Sequence, residues 1–387
     1  MSDSNRVNLA FVEESTFGTT PAGPPTLQNL RFTGESLKQD TGSTTSNEIR
    51  SDRNITDLIR NALSASGDLN YEFSYGSYDS FLEAGLMSAD WTAVVTMAAG
   101  PSMTIASNVV TRATGSFVTD GFAVGRWVRM LGWNTAVNNG YFKISAVAAT
   151  TLTLTGGTLT NQGSAETDVE IEQGAMITNG TELRSFAIER QFQDLSSEFT
   201  VLNGMCIEQI SMEIAADQVI TGSFAFLGKT EDSATATAGT GTNTAASTTG
   251  VMNGIDNVNK VLENGTSFSI TGLSLAIKNN LRQRLQVATL GPISIGSGEC
   301  TATGTLRAYF TSKAIMDKYR DFTATSISLV LVDSASNAYV VDFPRVKFSS
   351  GQQVAGGKNT DIIADLPFTA YMHATELVTV RIQRWAV

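Results

Sequence analysis

Apolar and polar residues alternate along much of this chain. From Asp68 to Tyr75, Leu69, Tyr71, Phe73 and Tyr75 fall on one face and Asp68, Asn70, Glu72 and Ser74 on the other, the two-residue period of a half-buried strand. Val7, Leu9 and Phe11 alternate likewise near the start, and Leu30, Phe32 and Leu37 resume an extended pattern after the turn-rich break Phe17–Pro25. In the second half Phe186 and Ile188 share a face, as do Ile210, Met212 and Ile214, and then Phe224 and Phe226. Further strands are predicted over Ser267–Ile277, Thr303–Phe310, Ile327–Val332, Tyr339–Phe343 and Leu377–Trp385, the first changing parity near Gly272 as a bulge would. Two short stretches have helical character. Asp79 stands where it can cap a turn containing Phe81, Leu82 and Leu86, and Ser312 where it can cap a helix reaching Phe322 with Ile315, Tyr319 and Phe322 on one face. The prediction is a mainly β chain, a sandwich or barrel with long extended loops and two short helices.

Two stretches interrupt this pattern. Between Ser46 and Arg60 a charged, extended arm carries Glu48, Arg50, Asp52, Arg53, Asp57 and Arg60 with Ile49, Ile55, Leu58 and Ile59 among them. A solitary domain has little use for apolar groups in a charged arm, whereas a subunit docking on a neighbour does. Glu48, Ile49, Arg50, Asp52, Arg53, Ile55 and Leu58 are therefore candidate subunit-interface residues. The pattern changes again near Trp91. Residues 96–174 read as an inserted small β module, barrel-like, with strands near Ser102–Ile105, Trp127–Leu131, Tyr141–Val147, Thr151–Thr155 and Val169–Glu172 and a hairpin turn at Asn138-Asn139-Gly140. The chain then divides into a first part of the main domain (1–95), the module, and a second part (175–387). Trp127 and Trp133 are expected as a core pair of the module; the sharper alternative is an exposed aromatic platform for sugars or surfaces. Ser233–Gly250 has no charge and nothing larger than Thr or Asn, so it is expected as a surface loop or as one that orders on assembly.

Composition narrows the chemistry. Of 387 residues, 42% are hydrophobic, enough for a sizeable core, and only 16% are charged, against about 25% in an ordinary globular chain. The net charge of −11 and the absence of a basic patch argue against a nucleic-acid reader. His373 is the only histidine, and Cys206 and Cys300 stand far apart, so neither a metal site nor a histidine-based triad is expected. GQQVAGGK at 351–358 departs from the phosphate-loop pattern at its Lys and Ser/Thr positions and is expected to be a turn. No enzyme activity, cofactor or metal is predicted. The start MSDSNRVNLAFVEE lacks the features of a secretory signal and no run approaches a membrane span, so a cytoplasmic site of synthesis is expected.

Several stretches, in order, resemble the tail tube protein (major tail protein) of long-tailed, non-contractile bacteriophages: VEESTFGTTP (Val12–Pro21), LRFTGESL (Leu30–Leu37), TSNEIRSDRNITDLI (Thr45–Ile59), GDLNYEFSYGSYDSFLEAGL (Gly67–Leu86), RSFAIERQFQDL (Arg184–Leu195), VITGSFAFLGK (Val219–Lys229) and VMNGIDNV (Val251–Val258). The resemblance implies a tail-tube-type β fold whose subunits form rings of six that stack into a hollow tube, with tape measure, terminator and distal tail proteins as partners. Double-stranded DNA would pass through the lumen without specific binding, and the assembled protein would reside in the virion tail after assembly in the host cytoplasm. By the same analogy the inserted module would decorate the tube exterior and be dispensable for assembly. A tail terminator, a decoration protein and a carbohydrate-binding β module are the alternatives.

Overall fold

The computed structural model describes residues 2–310, 313–353, 357–359 and 361–387. Its two longest strands, Leu58–Glu72 and Phe199–Ala215, organise the main body. Six antiparallel strands follow one another across a first layer: Leu58–Glu72, Thr221–Gly228, Phe199–Ala215, Gly272–Lys278, Thr301–Tyr309 and Ile363–Ala370. The last of these also pairs with the far end of Ala338–Phe348. The near end of Ala338–Phe348 lies between Thr325–Val332 and Arg381–Trp385, and Val258–Glu263 and Ala175–Thr178 extend that second layer. The sheets are open and no barrel closes among the described residues.

The alternation predicted for residues 68–75 is realised as far as Phe73; the strand ends at Glu72, and beyond it Ser74 is buried and Tyr75 only half-buried. Leu69, Tyr71 and Phe73 are almost wholly buried, and so are Ile210, Met212, Ile214, Phe224 and Phe226. These side chains join Leu329, Tyr339, Val341 and Phe343 of the second layer in one apolar cluster, with the Phe73 and Tyr339 rings 5.4 Å apart. Helix Asp79–Gly85 packs on Phe199–Ala215 at Gly85, and the ring of its Phe81 lies 4.7–5.3 Å from those of Phe11, Phe186 and Phe224. A Cβ at Gly85 would fall 2.4 Å from Ile210 Cδ1, so this approach requires glycine.

Local chemistry overrode several expectations. Asp79 is the first helical residue and not the cap: Tyr78 holds the cap position, and the Asp79 carboxylate instead accepts from the Tyr339 hydroxyl and Arg384. Burial raises the Asp79 carboxyl above its ordinary value despite Arg384. The C-terminal helix spans Ala314–Arg320 and buries Met316, while Phe322 lies beyond its end and is 60% exposed. Ser312 lies outside the described residues. A third helix, Phe117–Asp120, was too short to show helical spacing; Ser116 caps it by accepting from the Thr119 backbone N–H. Near Gly272 the chain leaves the ladder between Thr266–Ser267 and Gly272–Lys278, so the change of parity is a break rather than a bulge. The polar segment Ser233–Gly250 lies against the body. Arg31 donates to the Thr249 carbonyl (2.6 Å), Thr249 to the Tyr75 carbonyl (2.6 Å), and Thr237 to the Glu189 carboxylate (2.9 Å).

Residues 95–173 form a second sheet of eight antiparallel strands, in the order Gln162–Glu166, Met103–Ala106, Val109–Arg112, Thr151–Thr155, Gly140–Val147, Trp127–Leu131, Glu170–Gln173 and Val95–Met97. The sheet is open where a barrel-like module was expected. The Asn138-Gly140 hairpin turn is also absent. Asn138 ends a 3₁₀ turn and is fully buried, its amide donating to the Thr160 carbonyl (3.0 Å) and accepting from the Thr160 N–H (2.9 Å). That pair of bonds draws the loop inward, so eight residues, 132–139, join the flanking strands.

The module is seated on the second layer of the body. Trp127 and Tyr141 pack with Leu262, Val330, Ala338, Val340 and Trp385 in a separate apolar cluster. The Gln383 side chain accepts from the Trp127 N–H (2.7 Å) and donates to its carbonyl (3.2 Å), and Trp385 Nε1 donates to the Glu172 carbonyl (3.1 Å). Lys143 of the module reaches Asp342 of the body at 2.9 Å, and Asp342 is completely buried. Burial alone would raise the Asp342 carboxyl; Lys143 and Arg381 outweigh it and hold the group below its ordinary value. In return Lys260 of the body donates to the Tyr141 carbonyl (2.9 Å) and lies 4.3 Å from the Phe142 ring centre. These contacts pack the module against the second layer, so its removal would bare apolar surface of the body.

Candidate assembly surface

The interface candidates of the arm sit on a long hairpin. Lys38–Thr45 pairs with Leu58–Ser66, and the Ser46 N–H donates to the Asp57 carbonyl (3.0 Å) at the mouth of the tip. Leu58 and Ile59 thus belong to the strand and not to the loop. The strand gains its second neighbour, Thr221–Gly228, only from Ala65 onward. Outside that point the arm is a two-stranded ribbon, an element marginally stable in water by itself. At about 3.3 Å per residue, the ribbon reaches about 23 Å from Ala65 to Leu58 before its tip begins.

Glu48, Ile49, Arg50, Asp52, Arg53, Ile55 and Leu58 all lie at or near this tip and all are exposed. Ile49 is 99% exposed, Ile55 70%, Leu58 65% and Ile59 51%. Arg50 and Asp52 form a two-pronged pair (2.9 and 2.7 Å), and that bonding, with the Asn54 contacts, holds the Asp52 carboxyl below its ordinary value. Arg53 takes a left-handed backbone (φ 61°) and turns the tip; among the described residues neither it nor Glu48 has an ion-pair partner. The tip thus sets charged side chains beside exposed isoleucines.

A second exposed apolar element escaped the sequence pattern. Arg282–Arg284 and Ser294–Gly296 form a small hairpin whose connecting loop carries Leu285 (68% exposed), Val287 (93%), Leu290 (42%) and Ile293 (46%). These residues follow neither a helical nor a strand period, so only their burial state reveals them.

The other candidates are placed by burial. Trp127 and Trp133 are 0% and 3% exposed, so no aromatic platform exists on the module surface: Trp133 lies in the module core and Trp127 in the junction with the body. His373 lies in a turn after strand Ile363–Ala370, not in a strand, and its Nδ1 accepts from the Glu376 N–H (3.2 Å). Cys206 and Cys300 are free thiols; burial pushes Cys206 up to about 12. Among the described residues no three or more His, Cys, Asp or Glu side chains are grouped to hold a metal ion. Among the described residues no helix is long and apolar enough to cross a membrane. Of the 351–358 segment, Gln352–Gln353 pairs with the Ile363–Ala370 strand and residues 354–356 lie outside the described residues.

Comparison with known proteins gives no match among curated sequences. The family model described as phage tail tube protein matches residues 4–370, spanning both parts of the main body and the module between them. With an open β body and a projecting apolar hairpin in place, and a family match over nearly its whole length, this chain belongs to the phage tail tube protein family.

Proposed function

We propose that this protein polymerises as stacked rings, six subunits to a ring by the family resemblance, into the hollow tube through which a phage genome enters its host. Family membership makes the chain a structural component of a phage tail. The observation that carries the finer reading is the hairpin arm, a thin ribbon ending in Ile49 and Ile55, which are 99% and 70% exposed in the lone subunit. Fully burying a Leu or Ile side chain is worth about 1.5–3 kcal/mol. The open area of Ile49, Ile55, Leu58 and Ile59 corresponds to about three such side chains, so seating one arm on a neighbour gains about 4–8 kcal/mol before ordering costs.

Open sheet edges add a second support, because assembly into a shared sheet satisfies backbone groups that a lone edge leaves to water. The net charge of −11 suits a conduit: like charge repels the DNA phosphates, where a basic lumen would retain them. In this reading the module faces outward, assembly takes place in the host cytoplasm, and tape measure, terminator and distal tail proteins meet the tube at its ends or in its lumen. Electron microscopy of the purified, concentrated protein tests the proposal. Hollow tubes of open-ended length support it; single closed rings point to a terminator instead, and monomers under every salt condition contradict it.

A further inference from the structure

We propose that the Arg282–Gly296 hairpin is a second self-assembly surface, continuous with the arm, and that its occupant is an acidic face of a second copy of this chain; the inference rests on the tube-forming reading and adds a surface to it. The hairpin is anchored at its base and bare at its tip. Gly291, Pro292 and Ile295 are buried, whereas all seven residues from Arg284 to Leu290 are exposed. The anchor is the arm itself: a Cβ built on Gly291 would lie 3.5 Å from the Leu63 carbonyl oxygen and 3.8 Å from Leu63 Cβ. Leu63 pairs with Thr41 and, beyond the register shift at Asn61, Leu58 pairs with Thr45, four residues along the partner strand, so the row that begins under the hairpin at Leu63 emerges at the exposed Leu58. Leu285, Val287, Leu290 and Ile293 thus extend the apolar surface of the arm instead of forming a separate patch.

A patch of this extent on a soluble chain marks an interaction site, and its charge indicates the partner. Residues 279–298 contain Arg282 and Arg284 and no acid, in a chain of net charge −11. Arg282 donates to the Ser297 carbonyl (3.0 Å), and neither arginine has a carboxylate partner among the described residues. A basic, apolar projection on an otherwise acidic protein is complementary to the rest of that same protein, which favours a head-to-tail contact between unlike surfaces. Contacts of that type generate rings when the rotation closes and open stacks when it does not, the two geometries a tube combines.

The test uses the full-length protein under conditions in which the wild type forms tubes. A photo-crosslinking residue at position 287 is expected to join one copy to another in tubes, on acid-bearing peptides. Leu285→Ser with Val287→Ser removes more than one exposed side chain's worth of burial and is expected to raise the concentration needed for assembly about 100-fold, with a nearly unchanged melting curve because the two are 68% and 93% exposed in the subunit. Arg282→Glu with Arg284→Glu is expected to weaken assembly at low salt by more than at high salt. If position 287 gives no inter-chain product in tubes and the serine variant assembles at the wild-type concentration, the second surface is refuted while tube formation stands. If the wild type never self-associates, the tube reading falls and this inference with it.

Discussion

The isoleucines of the arm tip give the most decisive perturbation. In the lone subunit Ile49 and Ile55 are 99% and 70% exposed, so Ile49→Ser with Ile55→Ser removes little packing from the folded chain. Surface changes of this kind alter stability by about 0.5 kcal/mol at most, which in a chain of this size moves the melting temperature by about 1–2 °C. The assembled state is different. Somewhat less than two full isoleucine side chains go from water into contact, worth about 3–5 kcal/mol for each arm seated. If every subunit added to a tube seats one arm, as proposed, then at a factor of ten for each 1.4 kcal/mol the concentration required for polymerisation should rise about 10²–10⁴-fold. Sedimentation of polymer over a dilution series, with electron micrographs of the pellet and a melting curve of the supernatant, reads both halves of the argument. Tubes that form at the wild-type concentration from a subunit of unchanged melting temperature would show that the tip isoleucines stay in water after assembly, and the energetic reasoning would be wrong.

Other perturbations address other parts of the account. Arg50→Glu with Arg53→Glu converts the Arg50–Asp52 pair into a repulsion at an exposed tip, so a folded monomer that fails to polymerise is expected by light scattering; normal tubes would mean that the arm charges are not at an interface. Lys143→Met should cost about 3 kcal/mol in a denaturant titration, at the low end for losing one partner of a buried pair because Arg381 still faces Asp342. The Asp342 carboxyl is held below its unfolded value, so its stabilising contribution is present above that value, near pH 3.8, and is lost as pH falls through the lower folded one. Acid-unfolding curves of wild type and Lys143→Met should therefore converge below about pH 4. Excision of residues 96–174 bares Trp385, Val330 and Val340 and takes Lys143 from Asp342, so loss of soluble protein is expected on expression; a soluble, assembling truncation would show that the junction is not needed.

Period-2 patterning carried most of the body because half-buried strands leave a direct trace. Leu69, Tyr71 and Phe73 alternate in sequence and in burial, and Trp127–Leu131 and Thr151–Thr155 have the predicted bounds. The arm was legible for the opposite reason, isoleucines standing where no core could take them. What escaped the sequence is decided between distant residues. Nothing near Asp79 announces Arg384, a partner more than three hundred residues away that takes the carboxylate from its capping role. Asn138-Asn139-Gly140 has the composition of a tight turn, yet Thr160 outcompetes that turn by satisfying the Asn138 amide in the interior. Trp127 was expected in the module core and lies instead against the body, a distinction set by Val330, Val340 and Trp385 and not by its neighbours in sequence. The Leu285–Ile293 loop has no period at all, because its apolar residues face water in the subunit and no local burial imposes one.

The central claim is that exposed arms become buried joints between subunits. Cryo-electron microscopy with helical reconstruction of tubes grown from the purified protein measures this directly. The account predicts stacked rings around an open channel, with Ile49 and Ile55 of each subunit packed on a neighbouring copy. Tubes whose arms project freely into solvent, or concentrated protein that yields no tubes, would contradict it.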